Sequence, residues 1–353
     1  EDPHGRFVGW GLYSAQSKIR ARLFSRDAAR PDDAFWRARV QRAADARRSL
    51  GMFDPQGACR LLAGDADGVP GLIVDHYAGV YVLQSGSQGS DRLLDVVVSA
   101  LEQLASSPRA IVDRSDASVR RLEGLEKRVE VLRGTLPPEL EVREGELVYE
   151  VDVLKGHKTG HYLDQRENRA RAAQFARGAE VLDAFCYDGL FGLHAALAGA
   201  ASVTCFDQAE AALERARRNA ERNHVAPKFV FERVDVMREL KERTELERRF
   251  GLVIVDPPAF AKNKNELEGA ERGYRELNAR ALKLVAAGGR LVSASCSYAM
   301  KAEHFVHVLA QAANLSGRDV YLDELRGAAP DHPALLTLPE SAYLKCAFLR
   351  VGA

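Results

Sequence analysis

A carboxylate and a thiol follow two predicted strands in the C-terminal half of the chain. One apolar run ends at Val255 and leads into Asp256, and a second ends at Ser295, directly before Cys296. A helix predicted over 274–287 and closed by two glycines separates the strands, so they should be parallel neighbours. Because the carboxyl ends of parallel strands line one ligand crevice, Asp256 and Cys296 should face the same cleft.

This pair suits alkylation of a pyrimidine ring carbon. C5 of cytosine attacks a methyl group only after a nucleophile has added at C6, and a thiolate is the side chain that does this. A carboxylate can hold N3 and N4 of the ring while charge develops there. An ordinary thiol has a pKa of about 8.5, so Cys296 must be activated. The sequence does not identify the group that activates it.

The segment 256–260 (DPPAF) also resembles a turn of enzymes that methylate exocyclic amines. In that turn the Asp and a Pro carbonyl accept hydrogen bonds from the amine, and the aromatic ring stacks on the base. The likeness predicts substrate contacts for Pro257 and Phe260. Taken alone it favours N-methylation, whereas Cys296 favours carbon alkylation, unless that cysteine only packs as a small apolar group.

Further carboxylates follow the strands of an alternating α/β region. The first strand-to-helix turn, 183–192 (DAFCYDGLFG), lacks the glycine pattern of a nicotinamide-binding loop. Asp183 and Asp188 would repel a pyrophosphate but suit a cationic sulfonium that bears an amino group. Asp207 ends the second strand, where it can accept ribose hydroxyls, and Asp235 follows the third, near an adenine amine. The series predicts S-adenosylmethionine, although each Asp could instead cap the next helix.

The remaining chain predicts four parts. Residues 1–30 form two short strands of a partial β domain, and residues 31–57 form a helical connector. Residues 58–155 form an α+β module, and residues 156–353 form a Rossmann-like α/β domain. Two strands and no helix end the chain, as in methyltransferase-type sheets. In the first strands Ile19, Ala21 and Leu23 alternate with arginines, which predicts a half-buried strand.

Length, composition and cysteine spacing argue against a membrane-spanning, a secreted or a zinc-stabilised protein. The 353 residues allow two or three domains, and no apolar run approaches the length of a membrane span or resembles a signal peptide. Five scattered cysteines without zinc spacing predict thiols in a reducing cytoplasm and no structural metal. Since the chain begins at Glu1 rather than Met, we expect that N-terminal residues have been lost.

Positive charge is concentrated near the start of the chain. Lys and Arg equal Asp and Glu overall at 50 each, but residues 1–50 hold 11 basic and 6 acidic residues. A local basic face can bind nucleic acid at zero net charge, which predicts RNA contacts for Lys18, Arg20 and Arg22. A solvated helix with internal ion pairs is the alternative for residues 37–48.

Several motifs together resemble the bacterial ribosomal RNA large subunit methyltransferase I family. They are 156–166 (GHKTGHYLDQR), 256–260 (DPPAF), 272–274 (RGY), 295–297 (SCS), 331–333 (DHP) and 343–345 (YLK). The resemblance covers nearly the whole chain, although the first turn departs from it at Asp188 and Leu190. Residues 9–13 and 17–19 resemble the back half of a PUA domain, a small RNA-binding β barrel whose first half is missing here.

The resemblance implies an S-adenosylmethionine-dependent enzyme that forms 5-methylcytosine in 23S ribosomal RNA, alone or in an assembling large subunit. It also implies a homodimer and places Gln165 and Arg166 at the methionine end of the cofactor. With the acidic series, the predicted cofactor contacts are Gln165, Arg166, Asp183, Phe185, Tyr187, Asp188, Gly189, Asp207, Asp235 and Asp256. The alternatives are an N-methyltransferase of guanine or adenine, and an inactive RNA-binding assembly factor. The missing glycine loop argues against a nicotinamide oxidoreductase.

Overall fold

The chain forms two compact units in the computed structural model, which describes all residues except 105–107, 247, 262–263 and 353. The first unit comprises residues 1–163 and 330–341, and the second comprises residues 164–329 and 342–353. The four-part division predicted above remains a prediction, since the two units group its parts more coarsely.

The first unit is mainly antiparallel. Its strands are Trp10–Tyr13 (β1), Ala21–Ser25 (β2), Ala58–Ala63 (β3), Leu72–Tyr77 (β4), Val80–Ser85 (β5), Ala110–Asp113 (β6), Glu130–Gly134 (β7), Glu141–Glu144 (β8) and Leu147–Glu150 (β9). Its helices are Asp33–Ser49 (α1), Gln88–Asp91 (α2), Leu94–Leu104 (α3) and Val119–Leu122 (α4). Strands β3 to β7 make one sheet in chain order, while β1–β2 and β8–β9 are separate pairs.

Helix α1 packs against the central sheet of this unit. Asp32 caps it by accepting a hydrogen bond from the Phe35 amide at 2.9 Å. Trp36 and Val40 are buried in one apolar cluster with residues of β3, β4 and α3. The helix therefore belongs to the core of the first unit, and its apolar residues recur at helical spacing for that reason.

The β1–β2 pair corrects the expected burial of the N-terminal strand. The two strands pair antiparallel as predicted. Ile19 and Leu23 are nevertheless exposed (58% and 54%), while Arg22 is half-buried and donates to the Glu123 carboxylate at 3.2 Å. The prediction that the apolar face is covered was wrong, because the side of the strand that meets the rest of the unit carries Arg22.

The second unit is an α/β sheet flanked by helices. Its helices are Arg166–Ala173 (α5), Leu190–Leu197 (α6), Glu210–Arg222 (α7), Val236–Arg243 (α8), Leu267–Leu284 (α9) and Ala302–Ser316 (α10). Its strands are Glu180–Ala184 (β10), Ser202–Asp207 (β11), Phe229–Arg233 (β12), Phe250–Val255 (β13), Val285–Ser295 (β14), Val320–Arg326 (β15) and Lys345–Val351 (β16). The order across the sheet is β12-β11-β10-β13-β14-β16-β15.

The pairing of these strands confirms the predicted Rossmann-like class. Strands β10 to β14 pair in parallel, and β16 pairs antiparallel with both β14 and β15. Strands β13 and β14 are parallel neighbours, with Val255 level with Ser293. The helix between them begins at Leu267 and ends at Leu284, three residues before the predicted end, because Val285 already pairs with Phe250.

The core of the second unit is formed by the sheet and the helices α8, α9 and α10, which contribute to one buried apolar cluster. Strands β10 and β13 are almost wholly buried, as expected for central parallel strands that are covered on both faces. Within the described residues, no helix combines the length and apolar character needed to cross a membrane.

Candidate active site

The turn after β10, residues 185–189 (the first turn), has an unusual backbone. Phe185 and Tyr187 have φ angles of 63° and 50°, a left-handed conformation that costs energy in residues other than glycine. Gly189 follows at φ 76° and opens α6. Because such strain persists only where the surroundings enforce it, the first turn is held in a defined conformation, which is compatible with the predicted role in a ligand site.

Arg215 of α7 anchors the first turn. Its guanidinium donates to the Asp188 carboxylate at 2.7 Å, and both side chains are buried (9% and 0% exposed). The same guanidinium lies 6.0 Å from the centre of the Tyr187 ring. Asp188, predicted to contact the cofactor, therefore forms a buried ion pair within the protein. The sequence analysis missed Arg215, which is 27 positions further along the chain.

Asp207 also holds the first turn. One of its carboxylate oxygens accepts from the Tyr187 amide and the other from the Ala209 amide, each at 2.9 Å. These bonds place the end of β11 directly beside the first turn. The carboxylate is half-buried, and each oxygen can accept a second hydrogen bond, such as one from a ribose hydroxyl.

Asp183 lies at the centre of a group of carboxylates. It is 1% exposed and accepts a hydrogen bond from the Gly192 amide at 2.9 Å. Burial raises the pKa of its carboxyl to about 7, with further increases from the nearby negative charges of Asp256 and Asp207. These three predicted site residues are therefore brought together electrostatically, and a bound cation would relieve their repulsion.

Two other predicted cofactor contacts begin helix α5, which packs against α6. Gln165 is 2% exposed, and its side-chain oxygen accepts from Asn168 at 2.7 Å. Its side-chain nitrogen is buried, and the part of the chain that the structure describes offers it no hydrogen-bond partner. A buried amide donor of this kind fits an acceptor such as a ligand carboxylate. Arg166 follows it and is half-buried.

Asp235 caps helix α8 and does not belong to the group formed by Asp183, Asp207 and Asp256. It is exposed, and its carboxylate accepts from the Arg238 amide at 3.0 Å, which satisfies the first turn of α8. Asp235 therefore has the role that the sequence analysis gave as the alternative to cofactor binding, which is to cap the next helix. A predicted contact with an adenine amine would have to use the second oxygen.

Asp256 and Cys296 are at the carboxyl ends of the neighbouring strands β13 and β14 and are both half-buried. The loops that carry them are joined by a hydrogen bond from the Ala261 amide to the Ser297 hydroxyl at 3.3 Å. The same hydroxyl lies 3.1 Å from the hydroxyl of Tyr274 on α9. The carboxylate and the thiol therefore border one edge of the sheet, on segments fixed to each other.

The aromatic residue of the DPPAF segment packs inward. The ring of Phe260 lies 4.6 Å from that of Tyr274, and it contacts the core cluster of the second unit. Pro257 is buried. By contrast, Tyr298 in residues 295–298 (the thiol segment) is 62% exposed, with its ring 5.4 Å from that of Tyr343. The sequence analysis did not predict this pairing of an exposed and a half-buried tyrosine ring beside Cys296.

Lys345 is the second residue of this region whose role the sequence analysis missed. It begins β16, directly opposite Ser295 of β14, and is 4% exposed. Its ammonium donates to the backbone carbonyls of Ser297 and Tyr343 at 2.8 and 2.7 Å. A lysine directly before the apolar run 346–349 is the signal that could have identified it.

The three basic residues predicted to bind RNA are in the first unit. Lys18 and Arg20 are exposed between β1 and β2. Arg22 is half-buried and engaged with Glu123 and with the Ile19 carbonyl. Lys18 and Arg20 are therefore accessible to a partner, whereas Arg22 is already engaged within the first unit.

Two family models match this chain. A model described as S-adenosylmethionine-dependent methyltransferase matches residues 38–335, and a PUA-like domain model matches residues 1–26.

Curated relatives are similar over nearly the full chain. A ribosomal RNA large subunit methyltransferase I of Pseudoalteromonas atlantica is 40% identical over 343 residues, which is 96% of this chain and 86% of the relative. The protein of the same name from Shewanella frigidimarina is 40% identical over 350 residues, 98% of this chain and 88% of the relative.

Solved structures show the same fold. A methyltransferase complexed with SAH superimposes with a TM-score of 0.85 at 22% identity, covering 98% of this chain and 88% of that one. At this level of identity the likeness concerns the fold alone.

Proposed function

Since this chain belongs to the ribosomal RNA large subunit methyltransferase I family of S-adenosylmethionine-dependent enzymes, we propose that it methylates C5 of a cytosine in 23S ribosomal RNA through a Cys296 adduct. The observation that carries the proposal is the placement of Asp256 and Cys296 on adjoining parallel strands, with their loops joined through Ser297. A thiol and a carboxylate at one sheet edge are the groups that cytosine C5 alkylation needs.

The residues around the first turn fit S-adenosylmethionine. The group of carboxylates at Asp183, Asp207 and Asp256 is relieved by a positive charge, and the buried nitrogen of Gln165 can donate to a carboxylate. In our proposal Asp207 accepts the ribose hydroxyls, and Phe185, Tyr187 and Gly189 shape the wall of the site. When bound, the cofactor supplies an electrophilic methyl group on a sulfonium.

Cys296 acts as the nucleophile in the proposed reaction. The target base leaves its stack to reach the sheet edge, and the Cys296 thiolate forms a bond from its sulfur to C6. The ring electrons move toward C5, which would take up the methyl group as its bond to the sulfonium sulfur breaks and leaves a neutral thioether. Loss of the C5 proton to solvent, together with cleavage of the bond from sulfur to C6, then restores the double bond between C5 and C6 and regenerates the thiolate.

Asp256 holds the ring during addition. Its carboxylate accepts a hydrogen bond from the N4 amine, and a proton taken up from solvent is shared between the carboxylate and N3, so the charge that develops on the ring has a partner. Pro257 contributes its carbonyl to the same edge, and Phe260 supports the segment through Tyr274. Asp188 serves the site indirectly, since its ion pair with Arg215 holds the first turn.

A covalent trap tests the cysteine adduct. A 23S ribosomal RNA transcribed with 5-fluorocytidine in place of cytidine should form a complex that survives denaturing electrophoresis, because fluorine blocks the proton loss that releases the enzyme. Digestion and mass spectrometry of the complex should recover a Cys296 peptide joined to one nucleotide. Cys296→Ala should form no complex and lose methyl transfer by at least ~1000-fold.

A matched cysteine provides the control for this experiment. Cys205 is buried in β11 of the same sheet, so Cys205→Ala should still form the complex and methylate the RNA. Cofactor binding should be unchanged in Cys296→Ala. If Cys296→Ala methylates at a rate near that of the wild type, the adduct mechanism is wrong and amine methylation of guanine or adenine takes its place. Lack of cofactor binding in calorimetry would instead support the inactive assembly factor.

The N-terminal basic residues are proposed to contact the RNA backbone. Lys18 and Arg20 are exposed, whereas Arg22 is held by Glu123, so the first two should contribute more. Replacing Lys18 and Arg20 by Gln should weaken RNA binding and reduce the slope of log affinity against log salt by roughly one for each phosphate that the protein no longer neutralises. Cofactor affinity should stay the same. An unchanged salt slope would remove these residues from the RNA interface.

The family resemblance also leads us to propose a homodimer. One chain has a mass of 38.8 kDa, so light scattering during size-exclusion chromatography distinguishes one copy from two. A mass that stays at one chain across a wide concentration range would contradict this part of the proposal.

A further inference from the structure

The ammonium of Lys345 is buried among neutral groups. It donates to the carbonyls of Ser297 and Tyr343, and no carboxylate of the described residues lies within 4 Å of it. A buried cation normally has an anionic partner, because removing a charge from water is costly. The fold tolerates this cation at the start of β16, one residue from Cys346 and opposite the thiol segment. Its position therefore calls for a negative charge nearby in some state of the site.

Cys296 is the group that can supply this charge. The antiparallel register places Lys345 opposite Ser295, so the lysine side chain reaches along the sheet edge to the carbonyl that follows Cys296. Burial lowers the pKa of the Lys345 ammonium to about 8, and the negative charge that Cys296 can carry opposes this change. Attraction between two groups is reciprocal, so the ammonium favours the thiolate as much as the thiolate favours the ammonium.

We propose that Lys345 is a positioning residue that stabilises the Cys296 thiolate by its charge and holds the thiol segment through the Ser297 carbonyl. This inference rests on the proposed function, in which Cys296 is the nucleophile. It identifies the group that activates the cysteine, and it explains why a lysine begins a strand whose next residues, 346–349, are buried and mostly apolar.

Other titratable groups facing Cys296 do not replace Lys345 in this role. Tyr274 of α9 is fully buried, and burial raises the pKa of its hydroxyl, so it stays neutral. Asp256, from the loop after β13, carries a negative charge that disfavours a second anion beside it. Tyr298 and Tyr343, whose ring centres lie 5.4 Å apart, carry phenol groups and add no positive charge. Lys345 of β16 is the cation that the hydrogen-bond geometry connects to the thiol segment.

Alkylation of Cys296 without RNA or cofactor tests the proposal. The full chain is treated with iodoacetamide from pH 5 to pH 10, and the modified Cys296 peptide is quantified by mass spectrometry. Because the other four cysteines are buried, they should react slowly in the folded protein. Lys345→Met keeps an unbranched side chain and removes the charge. It should raise the midpoint of the alkylation curve by about one pH unit or more, since a nearby opposite charge shifts a pKa by about 1–3.

Two control variants separate charge from structure. Lys345→Arg retains a positive charge and should restore most of the low-pH alkylation. Lys301→Met makes the same change at an exposed lysine five positions after Cys296 and should leave the curve unchanged. Methyl transfer by Lys345→Met should recover at high pH, where the thiol ionises without help. A merely structural role for Lys345 would lower the rate at every pH alike and would overturn the proposal.

A measurement on the unaltered protein covers the case in which Lys345→Met does not fold. The thiolate absorbs near 240 nm, and the titration of wild type minus Cys296→Ala should have its midpoint below about 8.5, the ordinary thiol value. A midpoint at or above that value would overturn the proposal. Failure of the 5-fluorocytidine trap together with a shifted alkylation curve would contradict the adduct mechanism and leave the coupling of Lys345 to Cys296 standing.

Discussion

The first turn and the thiol segment hold their functional side chains by opposite means. In the first turn, acidic groups are held by a guanidinium and by backbone amides, as in the Asp188 pair with Arg215 and the Asp207 bond to Tyr187. In the thiol segment, hydroxyls and carbonyls make the contacts, and the Lys345 cation is buried without a carboxylate within 4 Å among the described residues.

This difference shows how one sheet edge can serve two tasks. A site that must keep its shape neutralises its charges internally, so that a ligand meets a fixed surface. In our proposal the thiol segment must produce an anion, so it keeps a cation whose charged partner forms only when the thiol ionises. The contrast predicts that charge removal at the first turn mainly affects stability and binding, whereas charge removal at the thiol segment mainly affects reactivity.

The largest expected effect concerns the Arg215 ion pair. Arg215→Met leaves the Asp188 carboxylate buried without its cation, which should lower the free energy of unfolding by about 3–5 kcal/mol. Both tryptophans, Trp10 and Trp36, are in the first unit, so the second unit is best followed by hydrogen exchange of its peptides. Adding Asp188→Asn to the variant should recover part of the loss.

Two further substitutions test whether the loss of Arg215 is more destabilising than the loss of another cation. Arg217→Met removes a half-buried arginine of the same helix whose ion pair with Glu210 is open to solvent, and it should change stability by less than about 1 kcal/mol. Lys345→Met removes a cation that has no carboxylate within 4 Å among the described residues and should also cost less than Arg215→Met. If Lys345→Met proved the more destabilising change, the distinction between the two regions would be wrong.

An intermediate effect is expected for cofactor affinity. Asp207→Ala removes the proposed ribose acceptor and the bond to the Tyr187 amide, and a hydrogen bond to a charged group is worth roughly 1.5–3 kcal/mol. The dissociation constant for S-adenosylmethionine, measured by calorimetry, should rise about tenfold to a hundredfold. Glu210→Ala, at the start of α7, is the control and should leave it unchanged. Equal loss of affinity in Cys296→Ala would show that the two regions are not separable.

The smallest expected effect is a pH dependence at Asp183. Its pKa is raised from 3.8 to about 7 in the folded state, which therefore keeps a proton that the unfolded chain has released. The stability contributed by this group is present below pH 3.8 and is lost as the pH rises through 7. Asp183→Asn can still accept the Gly192 amide but does not titrate. Relative to wild type it should therefore gain about 1 kcal/mol in unfolding free energy between pH 6 and pH 8. Parallel stability curves would show that Asp183 is ionised throughout this range.

Much of the second unit could be predicted because its signals are local. Buried parallel strands read as short apolar runs, and each run here is followed by its own turn, so the positions of Asp183, Asp207 and Asp256 followed from the chain order. The parallel pairing of β13 and β14, and hence the approach of Asp256 to Cys296, followed from the helix between them. The burial of the β1–β2 pair was harder to predict. Its alternation of apolar and basic residues indicates two faces but not which of them meets the rest of the unit.

The partners of these side chains could not be predicted, because they come from distant parts of the chain. Arg215 is 27 positions from Asp188, and α7 contains further arginines that the local sequence does not distinguish from it. Only the packing of that helix decides which one reaches the first turn. Lys345 is 48 positions from Ser297 and meets it because β16 inserts between β14 and β15 with one particular register.

The sequence by itself determined the types and order of the chemical groups: the carboxylates that follow successive strands, the thiol after β14 and the basic residues near the start. Residue type and position relative to a strand end are properties of short segments, and hydrophobic periodicity reveals them. Only the tertiary structure decided which carboxylates are already paired, which buried nitrogen finds no partner among the described residues and which cation approaches the thiol segment. These outcomes depend on burial and on the register between strands far apart in the chain, where a shift of one residue turns every side chain to the other face.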